Sequence, residues 1–148
     1  MRSAFSMIEL VFVIVILGIL AAVAVPKLAA TRTDAQIAKG RSDIASVRSA
    51  IINERQSRLI TGDSTFIKGT KINDGGVFGG VLTYPLTSST ADGHWEDVDD
   101  SNDDNATYKF RAQGVAVEFT YTRSNGVFTC DEGDESTDEQ KLCAKLIH

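Results

Sequence analysis

The sequence predicts an α+β chain: a long N-terminal helix, membrane-spanning in its first half, packed on a small antiparallel sheet. Three observations predict it. Phe5–Pro26 (FSMIELVFVIVILGILAAVAVP) is apolar apart from one carboxylate, Glu9, and a closing proline. Beyond it, Ile37, Ile44 and Ile51 recur at sevens, as do Ala38, Ala45, Ile52 and Leu59, which marks an amphipathic helix through about Arg58. From Tyr108 the period changes to two, in runs rich in β-branched and aromatic residues. With 148 residues in all, the part after the apolar segment suffices for one small domain.

The first element is a membrane segment by length. A helix rises ~1.5 Å per residue, so Phe5 to Val25 can cross a hydrocarbon layer of ~30 Å. Glu9 is its awkward residue, since a carboxylate at mid-bilayer costs ~2.5–3.5 kcal/mol, less towards an end. A cut just before Phe5 would create an α-amine able to neutralise it. Two other readings stay open: a secretory signal ending at Ala22-Val23-Ala24, and an unprocessed single-pass anchor. The length of the run, the acid at Glu9 and helical patterning past Val25 weigh against the first. Arg2 precedes the segment while Lys27 and Arg32 follow it, so a count of positive charges alone would point the wrong end at the cytoplasm.

Leader, phenylalanine, glutamate spacing and helix proline together resemble the type IV pilin and pseudopilin family. Precursors of that family carry a short polar leader, a cut before a residue that is usually Phe, Glu at the fifth mature position, and an apolar helix with a proline at its far end. Here these are Met1–Ala4, Phe5, Glu9 and Pro26. Ala4 departs from the pattern, standing where the residue before the cut is normally Gly. The match covers roughly Met1 to Ile60.

The resemblance implies cleavage after Ala4 and N-methylation of Phe5 by a prepilin peptidase. It also implies residence in a bacterial inner membrane with the C-terminal head outside the cytoplasm. From there the chain would be drawn into a helical filament of its own copies and other pilin-like subunits by an assembly ATPase and platform. Glu9 would then pair with the terminal amine of a neighbouring subunit. A pilus subunit, a type II secretion pseudopilin and a competence pilin all fit. The expected segments are 1–4 leader, 5–26 assembly helix, 27–60 amphipathic continuation and 61–148 head.

Along the chain, Pro26 removes one helical hydrogen bond and predicts a bend or melted turn rather than an end. Gly18 is a second soft point. The helix should stop near Thr61-Gly62-Asp63. Gly69–Gly80, with five glycines, reads as a loop; its GGVFGG lacks the Lys-Ser/Thr of a phosphate loop. Val81–Tyr84, ending at Pro85, reads as a short edge strand. Tyr108–Arg111, Val115–Tyr121 and Val127–Thr129 read as a meander, turning at Gln113-Gly114 and Ser124-Asn125-Gly126. Val115, Val117, Phe119 and Tyr121 share one face, which the helix stripe should cover.

Cys130 and Cys143, the only cysteines, are expected to pair in an exported domain, as C-terminal cysteines do in many pilins. The bridge would enclose the acidic segment Asp131–Glu139, with a short helix over Thr137–Ile147. Within the acidic stretch Asp92–Asp104, residues Asp97, Asp99 and Asp103 alternate like half a calcium loop, and Ser101-Asn102-Asp103-Asp104 resembles the calcium loop of major pseudopilins. Asn102 and Tyr108 occupy places where an EF-hand needs Gly and Glu, so calcium at Asp97, Asp99, Asp103 and Asp104 is an expectation of the resemblance only. His94 and His148 are too isolated for metal or catalytic work, and Trp95 reads as a core or edge anchor. Nothing in the pattern suggests an enzyme. Met1–Leu86 carries 10 Lys+Arg against 6 Asp+Glu, and Thr87–His148 carries 5 against 14. Such an acidic head is unsuited to direct nucleic-acid binding.

Overall fold

A computed structural model of the chain describes residues 6–98 and 101–148. The expectations for Met1–Ala4, for Phe5 and for Asp99 therefore lie outside the described residues. The elements are α1 (Met7–Ile60), α2 (Gly69–Ile72), β1 (Trp95–Val98), β2 (Asn105–Ala112), β3 (Val115–Thr122), β4 (Val127–Cys130) and α3 (Asp138–Ile147). The chain divides into two compact units, Met1–Ala35 and Gln36–His148, and α1 contributes to both.

In the first unit α1 carries its large apolar side chains in the open, from Met7 and Ile8 through Val25 and Leu28. It runs through Pro26 without interruption. The melted turn anticipated at the proline is therefore absent, because losing one hydrogen bond does not outweigh the helical turns on either side.

In the second unit Gln36–Ile60 lies on the sheet. Gly40, Ile44, Val47 and Ile51 are buried along one stripe, with Ile37 packed at its edge. Gly40 is a close-approach position: a Cβ there would stand 2.7 Å from Leu146 Cδ2 and 2.8 Å from Phe110 Cε1. The second heptad row does not join this stripe. Ala38 and Ala45 are exposed, Ile52 is 46% exposed and Leu59 49%. Residues one step along a helix lie ~100° apart, and one sheet face covers a single stripe, so only one of two adjacent rows is buried.

The sheet is a four-stranded antiparallel meander in the order β1-β2-β3-β4. Its inner face is built of cross-strand rows: Trp95, Phe110 and Val117; then Tyr108, Phe119 and Cys130; then Ala106, Tyr121 and Phe128. All nine are buried and form the sheet's share of the core, as the period-two pattern requires. Trp95 is 1% exposed, 5.0 Å from the Phe110 ring, and donates from Nε1 to Asp43 Oδ2 at 3.1 Å. It is the anchor expected of it.

Three local expectations need correction. β1 falls inside the stretch read as an acidic loop; Glu96 and Asp97 mask its alternation, and the strand exists through pairing with β2. Val81–Tyr84 forms no strand, because Val81 N and Leu82 N both donate to Phe78 O and curl the chain, leaving one isolated bridge, Val77 to Leu86. Gly69–Gly80 is mostly irregular but includes α2 and delivers Ile72, Val77 and Phe78 to the core. Phe78 does so at φ 59°, a left-handed backbone that Asn73 Oδ1 holds by accepting from Phe78 N–H at 3.1 Å.

Candidate functional site

Glu9 stands in the first turn of α1, on a helix that is long and apolar enough by composition to cross a membrane. Ser6 caps that turn: its Oγ accepts from Glu9 N–H at 3.2 Å. The positive end of the helix dipole therefore surrounds the carboxylate, a contribution typically worth ~0.3–1 kcal/mol. The cap is legible as Ser6-Met7-Ile8-Glu9, the Ser-x-x-Glu spacing of a helix start, a signal the sequence reading passed over. Around Glu9 the helix shows Ile8, Val11, Phe12 and Val15, all exposed. Pro26 lies within the same helix.

At the other end of the chain, Cys130 and Cys143 are joined, with Cα atoms 6.0 Å apart. The bridge ties β4 to α3. Helix α3 begins with a reciprocal cap in which Thr137 Oγ1 accepts from Gln140 N–H and Gln140 Oε1 accepts from Thr137 N–H. Leu142, Cys143 and Leu146 turn inward, so the acidic loop is held at both ends while its carboxylates stay in water.

Of the four residues expected to hold calcium, Asp97, Asp103 and Asp104 are described. Asp103 is bound by Lys68 Nζ at 2.6 Å and Thr70 Oγ1 at 3.0 Å. The Lys68 bond, then the Thr70 bond, hold its carboxyl below the usual aspartate range. Asp97 accepts from Asn73 Nδ2 at 2.7 Å, and Asn73 Oδ1 accepts in turn from Tyr108 Oη at 2.7 Å. Asp104 lies at a separate cleft beside Arg123. Among the described residues no three acidic, histidine or cysteine side chains gather to hold a metal ion.

Burial pushes the Tyr108 phenol far up, with Asp97 adding to the effect, and pushes Tyr121 up to about 12. Tyr121 Oη donates to Ile67 O at 2.7 Å, so this phenol serves as a core fastening. The His94 ring meets the backbone carbonyl of Asp92 at 3.2 Å, and His148 meets Glu132 at 3.0 Å on the surface. No protein-family model, no curated protein and no solved structure matches the chain.

Proposed function

We propose that the chain is a structural subunit of a type IV pilus-like filament, cut before Phe5 and assembled through α1. The observation that carries this reading is an apolar helix with none of its span buried and a single acid, Glu9, in its first turn. Such a surface demands an apolar surrounding. A bilayer supplies one before assembly, and a bundle of identical helices supplies one after it.

Glu9 selects between the two. An unpaired carboxylate in an apolar bundle costs several kcal/mol. Pairing it with the terminal amine of a neighbouring copy removes that cost and sets the axial register. One subunit contacts the next heterologously, and such contacts do not close, so they propagate a fibre. The exposed row Ala38, Ala45, Ile52 and Leu59 leaves a further helix face open to neighbours. The disulfide favours a pilus over the secretion and competence alternatives, since pilins commonly staple this region.

Two measurements test the reading. The intact mass of the native protein should show loss of Met1–Ala4 and gain of one methyl group; retention of the leader on every molecule overturns it. Glu9→Ala should abolish filaments while leaving the head folded. Normal filaments from that variant would remove the register role of Glu9.

A further inference from the structure

We propose that a cleft at the Thr122 end of β3 is a carboxylate-binding site, and that its occupant is the acidic segment Asp131–Glu139 of a second copy of this chain. The proposal rests on the filament reading and names one contact between neighbouring subunits.

The cleft encloses about 580 Å³ and is lined by Arg55, Ser64, Thr65, Asp104, Arg123 and Ser124, with Phe66 as its floor. Both guanidinium groups are held in place. Arg55 Cζ stacks 4.3 Å from the centroid of the Phe66 ring. Arg123 donates from Nε to Phe66 O at 3.2 Å and from Nη2 to Thr65 Oγ1 at 3.4 Å. Gly126 makes room for this arrangement, because a Cβ there would overlap the Phe66 ring.

Among the described residues neither Arg55 nor Arg123 forms an ion pair, whereas nearby Arg58 is committed to Glu54 and Asp63. Arg55 Nε is buried without a hydrogen-bond partner among them. Two fixed cations and one acid, Asp104, thus line a cleft in an otherwise acidic head. A planar guanidinium whose face rests on a ring leaves its terminal Nη groups to donate to a carboxylate. The hydroxyls of Ser64 and Ser124 add donors at the rim.

Charge and geometry choose the occupant. Asp131–Glu139 holds six acids and no base. Within it Glu132 meets His148 and Asp138 meets Lys141, while Asp134 accepts from Ser136 N–H. Glu135 and Glu139 are exposed and form no ion pair among the described residues, and Glu135 has a left-handed φ of 57°. This segment lies at the opposite end of β3: Thr137, Asp138 and Glu139 line one cleft with Gly114, Val115, Ala116 and Arg111, whose guanidinium pairs with Glu96 at 4.0 Å. Eight strand residues at ~3.3 Å each put on the order of 25 Å between the two ends. A head cannot fill its own cleft, so the pairing runs from one copy to the next, head to tail, and does not close.

The test uses the full-length chain in cells that assemble it. Glu135→Lys/Glu139→Lys, on exposed side chains outside the core, should lower filament yield by about tenfold or more through like-charge contact. Arg55→Glu/Arg123→Glu should do the same, and combining the two sets should restore filaments. Normal filaments from either set overturn the contact while the filament reading stands. Loss from the arginine set alone also overturns it, by showing that the cleft takes some other anion. A measurement independent of assembly is cross-linking of membrane-embedded Ser124→Cys/Glu135→Cys chains with a short bis-maleimide. A ladder of multimers is expected, and monomers alone overturn the contact even where no filament forms.

Discussion

One helix, α1, holds two regions that obey opposite rules. Between Met7 and Leu28 its large apolar side chains lie in the open; between Gln36 and Ile60 the Ile44, Val47 and Ile51 row is sealed. The first is apolar almost throughout, whereas the second interleaves its Ile, Val and Leu with charged residues. Content and arrangement both separate them. The second stretch concentrates its apolar groups on a stripe that one sheet face can cover, whereas the first is apolar all round, and no single neighbour can cover a helix on every side. The first region is therefore built for a surrounding medium, and the second for a partner within the same chain.

The largest effect should come from breaking the sealed side. Val47→Asp places a charge under the sheet and is expected to unfold the head outright, since an unpaired buried charge costs more than a small domain has to lose. Ile14→Asp on the open side should leave the head's near-ultraviolet circular dichroism and denaturant midpoint unchanged. An equal loss from both would mean that the two regions do not differ.

Next in size, removing the bridge with Cys130→Ser/Cys143→Ser should cost about 3 kcal/mol on the loop-entropy account. The comparison is read from the denaturation midpoint, where reductant should shift the parent and leave the variant unmoved. Gly40→Val tests the closest helix-to-sheet approach. Its side chain would press on Phe110 and Leu146, at a cost of about 1–3 kcal/mol in thermal unfolding. Ile52→Ser, one residue from buried Ile51, should change head stability by less than about 0.5 kcal/mol. A larger loss would show that the exposed row is covered within the head after all.

The smallest effects are those of pH. Asp103 is held low by Lys68 and then Thr70. A depressed carboxyl contributes stability that is present above its unfolded value, about pH 4, and fades as pH falls through the folded value. Lys68→Met should flatten that acid limb of the melting curve. Tyr121 runs the other way: burial raises it to about 12, so its contribution is complete below about pH 10 and is lost as pH climbs towards the folded value. Phenolate absorbance should report that step together with unfolding.

Local pattern alone determined much of this protein. The apolar run with Glu9 and Pro26, the heptad positions of Ile37, Ile44 and Ile51, the alternation through β3 and the stop at Gly62 are each written within a few neighbouring residues. Those spacings dictate which periods can bury an apolar face. Pairing of Cys130 with Cys143 was legible because a chain with two cysteines offers one bridge.

Tertiary structure decided the rest. β1 could not be read, because Glu96 and Asp97 hide its alternation and only β2 makes it a strand. Choice of the Gly40 and Val47 stripe over the Ala38 and Ile52 row depended on which face the sheet covered, and Gly40 owes its value to Leu146, 106 positions away. The pairing of Asp103 with Lys68 joins residues 35 positions apart, which no local pattern announces. Arg55 and Arg123 meet only because the end of α1 and the end of β3 share the Phe66 floor. Periodicity announces that a face will be buried, but the identity of what buries it belongs to residues far along the chain.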